Sequence, residues 1–148
     1  MPVDVEVWAY FDTSALVKCY VHESGTAEAI ALTGRHAVLS SALAPVELTG
    51  AFRRQQAAGS MSPRQHQRAW AQFRADRAHW TLLEIDANVL TRAEALIATA
   101  AVKTLDALHL ASALMFQAEA ALRIPFVTGD AQQRRAGEAL DLDVVFVG

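Results

Sequence analysis

The sequence predicts an α/β fold, a central parallel β-sheet of about five strands flanked by α-helices, and three observations carry that prediction. Short apolar runs alternate with stretches of helical spacing along the chain, the pattern of strands joined by helical crossovers. No repeat, low-complexity tract or linker interrupts the alternation. The 148 residues, 53% hydrophobic and 20% charged, suit one globular domain, so 1–148 is read as a single domain with one core.

The elements follow in order. Val7 to Asp12 is an apolar run ending in Asp12-Thr13-Ser14, which suits a strand entering a helix cap, and Ala15, Leu16, Cys19 and Tyr20 then repeat at helical spacing. His36 to Ser41 reads as the second strand. Ser40 or Ser41 caps the next helix, whose first turn accommodates Pro45 because first-turn N–H groups have no intrahelical partner, and Gly59 stops it. Ser62 and Pro63 start another helix, with Trp70, Phe73, Arg77 and Trp80 on one face. Thr81 to Asp86 is the third strand. Leu90, Ala93, Leu96 and Ile97 mark one helix, and Leu105, Leu108, Ser112, Met115 and Phe116 mark the next. Ile124 to Thr128 is the fourth strand, Ala131 to Leu140 a helix, and Val144 to Val147 the fifth strand.

Composition narrows the function. A net charge of −3 and a pI near 5.9 argue against a protein that coats nucleic acid by bulk electrostatics. The charge is uneven, however: Leu48 to Ala75 holds no Asp or Glu but carries Arg53, Arg54, Arg64, Arg68 and Arg74, a segment suited to gripping a phosphate backbone or an acidic partner, or to lying solvated on a helix. The single cysteine, Cys19, excludes an intramolecular disulfide and a Cys-based zinc site and fits a reducing compartment. No stretch reads as membrane-spanning, and Asp4 and Glu6 stand where a signal peptide carries Lys or Arg, so no membrane association and a cytoplasmic location are expected.

Four acids stand at or just beyond strand-to-helix transitions: Asp12, Glu47, Asp106 and Asp130. In a parallel sheet those places lie along one edge, so the four are expected in one cleft. Singly, Asp12 is an N-cap, Asp106 complements a helix dipole and Asp130 is a turn residue. Glu47 is less easily explained, because helical spacing sets it with Leu43, Gly50 and Ala51 on a small, apolar face, where a carboxylate needs a partner. Carboxylates crowded together repel, and a hard divalent cation with oxygen ligands neutralises them. Ser14 and Thr128 offer short hydroxyls to orient carboxylates or water, while Thr13 reads as a cap or turn former and His109 as a packing histidine rather than a base or ligand.

The segments FDTSALVKCY, SSALAPVELTGAFRRQ, KTLDALHLASAL and FVTGDAQQRRAGEAL, in this order and at these intervals, resemble the PIN-domain family, most closely its VapC-type toxin ribonucleases. The resemblance spans the whole chain and implies a PIN-like sandwich of helices around a parallel sheet. It carries the family's four acids onto Asp12, Glu47, Asp106 and Asp130, the hydroxyl before the last acid onto Thr128, and the small hydroxyl residue after the first onto Ser14. Lys103 stands nearest to where the family often has an arginine. It further implies a Mg²⁺- or Mn²⁺-dependent endoribonuclease, homodimeric, encoded with a VapB-type antitoxin that blocks the acidic cleft.

The function expected is therefore RNA cleavage by metal-activated water, giving 5′-phosphate and 3′-hydroxyl ends. Asp12 and Asp106 would be direct ligands, with Asp130 and Glu47 completing the site directly or through water, and Ser14, Arg64, Arg68 and Lys103 are the candidate RNA contacts. The alternative is a PIN-like module that binds RNA or protein with little turnover. A phospho-aspartate reading of Asp12 is disfavoured, because Asp12-Thr13-Ser14 lacks the Asp-x-Asp of the aspartyl phosphatases and no strand-end lysine of the receiver type is present.

Overall fold

The computed structural model describes residues 7–148, and the argument from Asp4 and Glu6 lies outside them. The elements are β1 (Trp8–Phe11), α1 (Thr13–Val17), α2 (Thr26–Arg35), β2 (Ala37–Ser41), α3 (Ala44–Ala57), α4 (Pro63–Arg77), β3 (Thr81–Leu83), α5 (Ala87–Thr99), α6 (Thr104–Ala120), β4 (Pro125–Thr128), α7 (Ala131–Ala139) and β5 (Asp143–Phe146). The five strands form one sheet in the order β3-β2-β1-β4-β5, with every pairing parallel. Having stepped outward from β1 to β3, the chain returns to pair β4 against the other side of β1. That reversal opens a crevice at the carboxyl ends of β1 and β4.

Successive side chains on a strand face opposite sides, so a central parallel strand must be apolar throughout. Ala9 and Phe11 of β1, Val38 of β2 and Val127 of β4 enter one cluster with Leu16, Leu32, Leu48, Phe52 and Phe73 from α1 to α4. Tyr10, Leu39 and Phe126 enter a second with Val89, Leu96, Leu110 and Ala111 from α5 and α6. The sheet thus divides the expected single core in two. On the first face Phe52, Trp70, Phe73 and Trp80 pack edge-on or tilted, with centroids 5.3 to 5.9 Å apart. Truncating such a buried ring costs about 3–5 kcal/mol, which is what holds α3, and with it Glu47, against the sheet.

Several sequence expectations are revised. α1 ends at Val17, and a separate helix, α2, which was not expected, follows. Gly25, at its N-cap, has φ of 87°, and a Cβ there would come within 2.6 Å of the Val147 carbonyl oxygen, so glycine is required. β3 stops at Leu83 rather than Asp86, because its partner β2 ends at Ser41, and Asp86 instead caps α5 by accepting from the Val89 N–H at 2.9 Å. Neither Ser40 nor Ser41 is the cap of α3, whose N-cap is Leu43: Ser40 donates to the Phe11 carbonyl, and Ser41 accepts from the Leu43 N–H in the turn before the helix. In α5 the buried stripe is Val89, Ala93 and Leu96, with Leu90 and Ile97 exposed. Ala111 and Ala113 of α6 pack inside the domain's own core. Among the described residues no helix is long and apolar enough to cross a membrane.

Candidate active site

A cleft of about 210 Å³ opens at the carboxyl ends of the strands, lined by Asp12, Thr13, Ser14, Val17, Glu47, Ala51, Arg54, Asp106, His109 and Asp130. The four acids come from four different places in the fold: the end of β1, the first turn of α3, the first turn of α6 and the turn after β4. Larger grooves beside α4 contain none of these acids.

Asp12 is the most firmly held. It is the N-cap of α1, accepting from the Ala15 N–H at 3.2 Å and from the hydroxyls of Ser14 and Thr128, both at 2.6 Å. Burial pushes its carboxyl above the ordinary range, and those hydrogen bonds only partly offset the push. Thr128 therefore serves Asp12 with its proton, and holds Asp130 by accepting from that residue's backbone N–H at 3.1 Å. Ser14 also accepts from the Gly129 N–H at 2.8 Å, tying the end of β1 to the end of β4. Its single proton is committed to Asp12.

Asp130 caps α7, its Oδ1 accepting from the N–H groups of Gln132 and Gln133 at 2.7 and 3.2 Å. The buried Gln133 side chain donates to the Asp106 carbonyl at 3.0 Å, which fixes the start of α6 relative to α7. The Asp106 carboxylate itself accepts no hydrogen bond among the described residues. Burial, then the charges of Asp130 and Asp12, push its pKa up, with exposed Lys103 among the opposing influences. This is the signature of carboxylates crowded together with too little opposing charge to offset their repulsion.

Glu47 has the partners its position demands. Its Oε1 accepts from the Thr13 hydroxyl at 2.8 Å and from His109 Nε2 at 2.7 Å. Burial alone would raise its pKa, but the hydrogen bond from His109, the Thr13 bond and the nearby Arg54 outweigh it, and Glu47 stays below the usual range. His109 thus bonds across elements rather than within its helix, its Nδ1 lying 2.8 Å from the Tyr10 hydroxyl.

The basic segment divides. Arg54 lines the acidic cleft, and its guanidinium lies over Gly50, where a Cβ would sit 3.3 Å from Nη1. Arg68 lines a separate groove with Tyr20, Glu23 and Met61, and exposed Arg64 lines neither. Thr13, Arg54 and His109 are the polar residues of the cleft lining that the sequence reading did not select. Spacing offered a signal for two of them, since Arg54 lies two helical turns from Glu47 and His109 one turn from Asp106.

The chemistry of the donor set fits a hard divalent cation: carboxylate oxygens, no thiolate, and an Asp106 carboxylate with its lone pairs unused. Among the described residues no three acidic, His or Cys side chains close into a metal cage. An ion in this cleft would be held by these carboxylates together with water.

The PIN domain family model matches residues 9–139. Among solved structures, a toxin-antitoxin complex from Klebsiella pneumoniae is similar at a TM-score of 0.64 and 19% identity, over 95% of this chain and 98% of that one. A member of the VapBC family of toxin-antitoxin systems, VapBC-5 from Mycobacterium tuberculosis, is similar at a TM-score of 0.55 and 15% identity, again over 95% and 98%. At these identities the likeness is one of fold. A search of curated proteins finds no match. The parallel sheet, the acids at its carboxyl edge and a family match over most of its length lead to one assignment: the chain belongs to the PIN-domain family.

Proposed function

We propose that this protein is a Mg²⁺- or Mn²⁺-dependent endoribonuclease, the VapC-type toxin of a toxin–antitoxin pair. The observation that carries this reading is the convergence of Asp12, Glu47, Asp106 and Asp130, from four separate elements, on one open cleft. Family membership and the likeness to two toxin–antitoxin structures support it. By the same reading the partners are RNA, a VapB-type antitoxin and a second copy of the chain.

Asp12 and Asp106 hold the cation, with Asp130 and Glu47 completing its surroundings directly or through water. When bound, it supplies Lewis acidity toward water and the phosphoryl oxygens. Thr128 and Ser14 keep Asp12 fixed and stop it turning away from the cleft. Glu47, ionised and fixed through Oε1, accepts a proton or a hydrogen bond from the attacking water. Arg54 is the cleft cation nearest this machinery and meets the phosphate backbone. The test is cleavage of a mixed RNA substrate by purified protein with Mg²⁺ or Mn²⁺. Cleavage that stops in excess EDTA and yields 5′-phosphate ends is expected, and undiminished cleavage in EDTA contradicts the reading.

A further inference from the structure

Behind the acids stands a buried histidine that the mechanism above does not use. We propose that His109 is a positioning residue, which fixes the Glu47 carboxylate in the cleft and whose own orientation is set by Tyr10; this rests on the metal-dependent nuclease reading.

The bonds run in series through four elements. Tyr10, on the central strand, is fully buried, and His109 on α6 is 2% exposed. The ring of Tyr10 meets the imidazole edge-on, with centroids 5.9 Å apart and planes at 75°. An ionised carboxylate only accepts, so the contact of 2.7 Å between Glu47 Oε1 and His109 Nε2 requires the proton on Nε2. In the neutral ring Nδ1 then accepts from the Tyr10 hydroxyl at 2.8 Å. Thr13 closes the set, donating to the same Oε1 and lying 3.3 Å from Nε2. Both bonds to Glu47 fall on one oxygen, and among the described residues Oε2 accepts none. A long, flexible side chain is thereby held by one oxygen and left open at the other. A histidine serving only to fill the core would not need a carboxylate at the mouth of a cleft as its partner.

The test compares wild type with His109→Leu, His109→Gln, Tyr10→Phe, Glu47→Gln and the His109→Leu/Glu47→Gln double variant. In the metal-free protein, ¹⁵N spectra of the histidine should place the proton of the neutral ring on Nε2, and the Glu47 carboxyl ¹³C resonance should move in His109→Leu. Mn²⁺ affinity should fall about 10- to 100-fold in His109→Leu, the range for outer-shell partners of a metal site. In RNA cleavage kcat should fall more than KM. His109→Gln keeps an N–H and should recover part of both losses, and Tyr10→Phe should show a smaller loss in the same direction. Because His109 acts through Glu47, the double variant should be no weaker than Glu47→Gln alone. A proton on Nδ1, an unmoved Glu47 resonance, or losses that multiply in the double variant would overturn the proposal. Correct spectra in a wild-type protein that neither binds Mn²⁺ nor cuts RNA would uphold the positioning and sink the nuclease reading.

Discussion

At the carboxyl ends of β1 and β4, Asp12 accepts three hydrogen bonds from two hydroxyls and a backbone N–H, and Glu47 accepts two more from Thr13 and His109. On the outer face of α4, Arg64 and Arg68 are exposed and form no ion pair among the described residues, while Arg74 lies over its helical neighbour Trp70 at 5.4 Å. Both regions are charged, and both drew attention as sequence. They differ in what holds the charge. Asp12, Glu47 and Asp130 are fixed by partners from α1, α6, β4 and α7, whereas Arg64 and Arg68 form no hydrogen bond or ion pair among the described residues and Arg74 meets only its own helix. Charge that the fold immobilises against its own repulsion is the charge proposed to do chemistry.

That contrast can be broken most severely at Asp106. Asp106→Asn removes a carboxylate that no donor satisfies, and cleavage should drop below detection while the fold is retained; a fully active Asp106→Asn protein would show the cleft to be as incidental as α4. Next in size is Thr128→Val, which keeps shape and β-branching but withdraws the bond of 2.6 Å to Asp12. Metal-dependent turnover should fall about 10- to 100-fold, and wild-type turnover would return Thr128 to a mere strand-end residue.

Salt dependence compares the two regions directly. Each phosphate contact on a single strand contributes about −0.7 to the log-log slope of RNA affinity against salt. Arg54→Gln should make that slope shallower by about 0.7, while replacing Arg64 and Arg68 together should leave it unchanged. The opposite pattern would move the RNA grip to α4.

The smallest effect is on stability. Asp106 is pushed above its ordinary value of 3.8, so the folded chain binds protons more readily than the unfolded one. Its contribution is then least unfavourable at low pH, worsens as pH rises from the unfolded value through the folded one, and remains adverse at neutrality. In metal-free protein at pH 7, Asp106→Asn should raise Tm by no more than about 4 °C, and the gain should vanish toward pH 3. A variant that melts lower than wild type at pH 7 would mean that Asp106 is not under repulsion.

The sequence exposes what depends on local pattern. Strand-to-helix transitions marked Asp12 and Asp130, and the switch between β1 and β4 explains why these two meet; Asp106, expected at such a transition, instead follows helix α5, and the packing of α6 brings it to the cleft. α2 was illegible because only Ala29 and Leu32 are buried along it, too thin an apolar stripe to register. Of the four residues that marked α5, Ala93 and Leu96 are buried, whereas Leu90 and Ile97 are apolar yet exposed, and Val89 completes the buried stripe. His109 was undervalued because its partners, Tyr10 and Glu47, lie 99 and 62 residues away, and no spacing rule links them. Arg54 and Arg64 look alike as letters. Only the rotation of α3, anchored by Phe52, turns one toward the acids.

Mn²⁺ titration of the purified protein tests most directly the proposal that the carboxyl-edge acids hold a divalent cation. Wild type should bind Mn²⁺ saturably, Asp12→Asn and Asp106→Asn should abolish that binding while remaining folded, and the Arg64→Gln/Arg68→Gln protein should bind as wild type does. Equal Mn²⁺ affinity in wild type and Asp106→Asn would contradict the account.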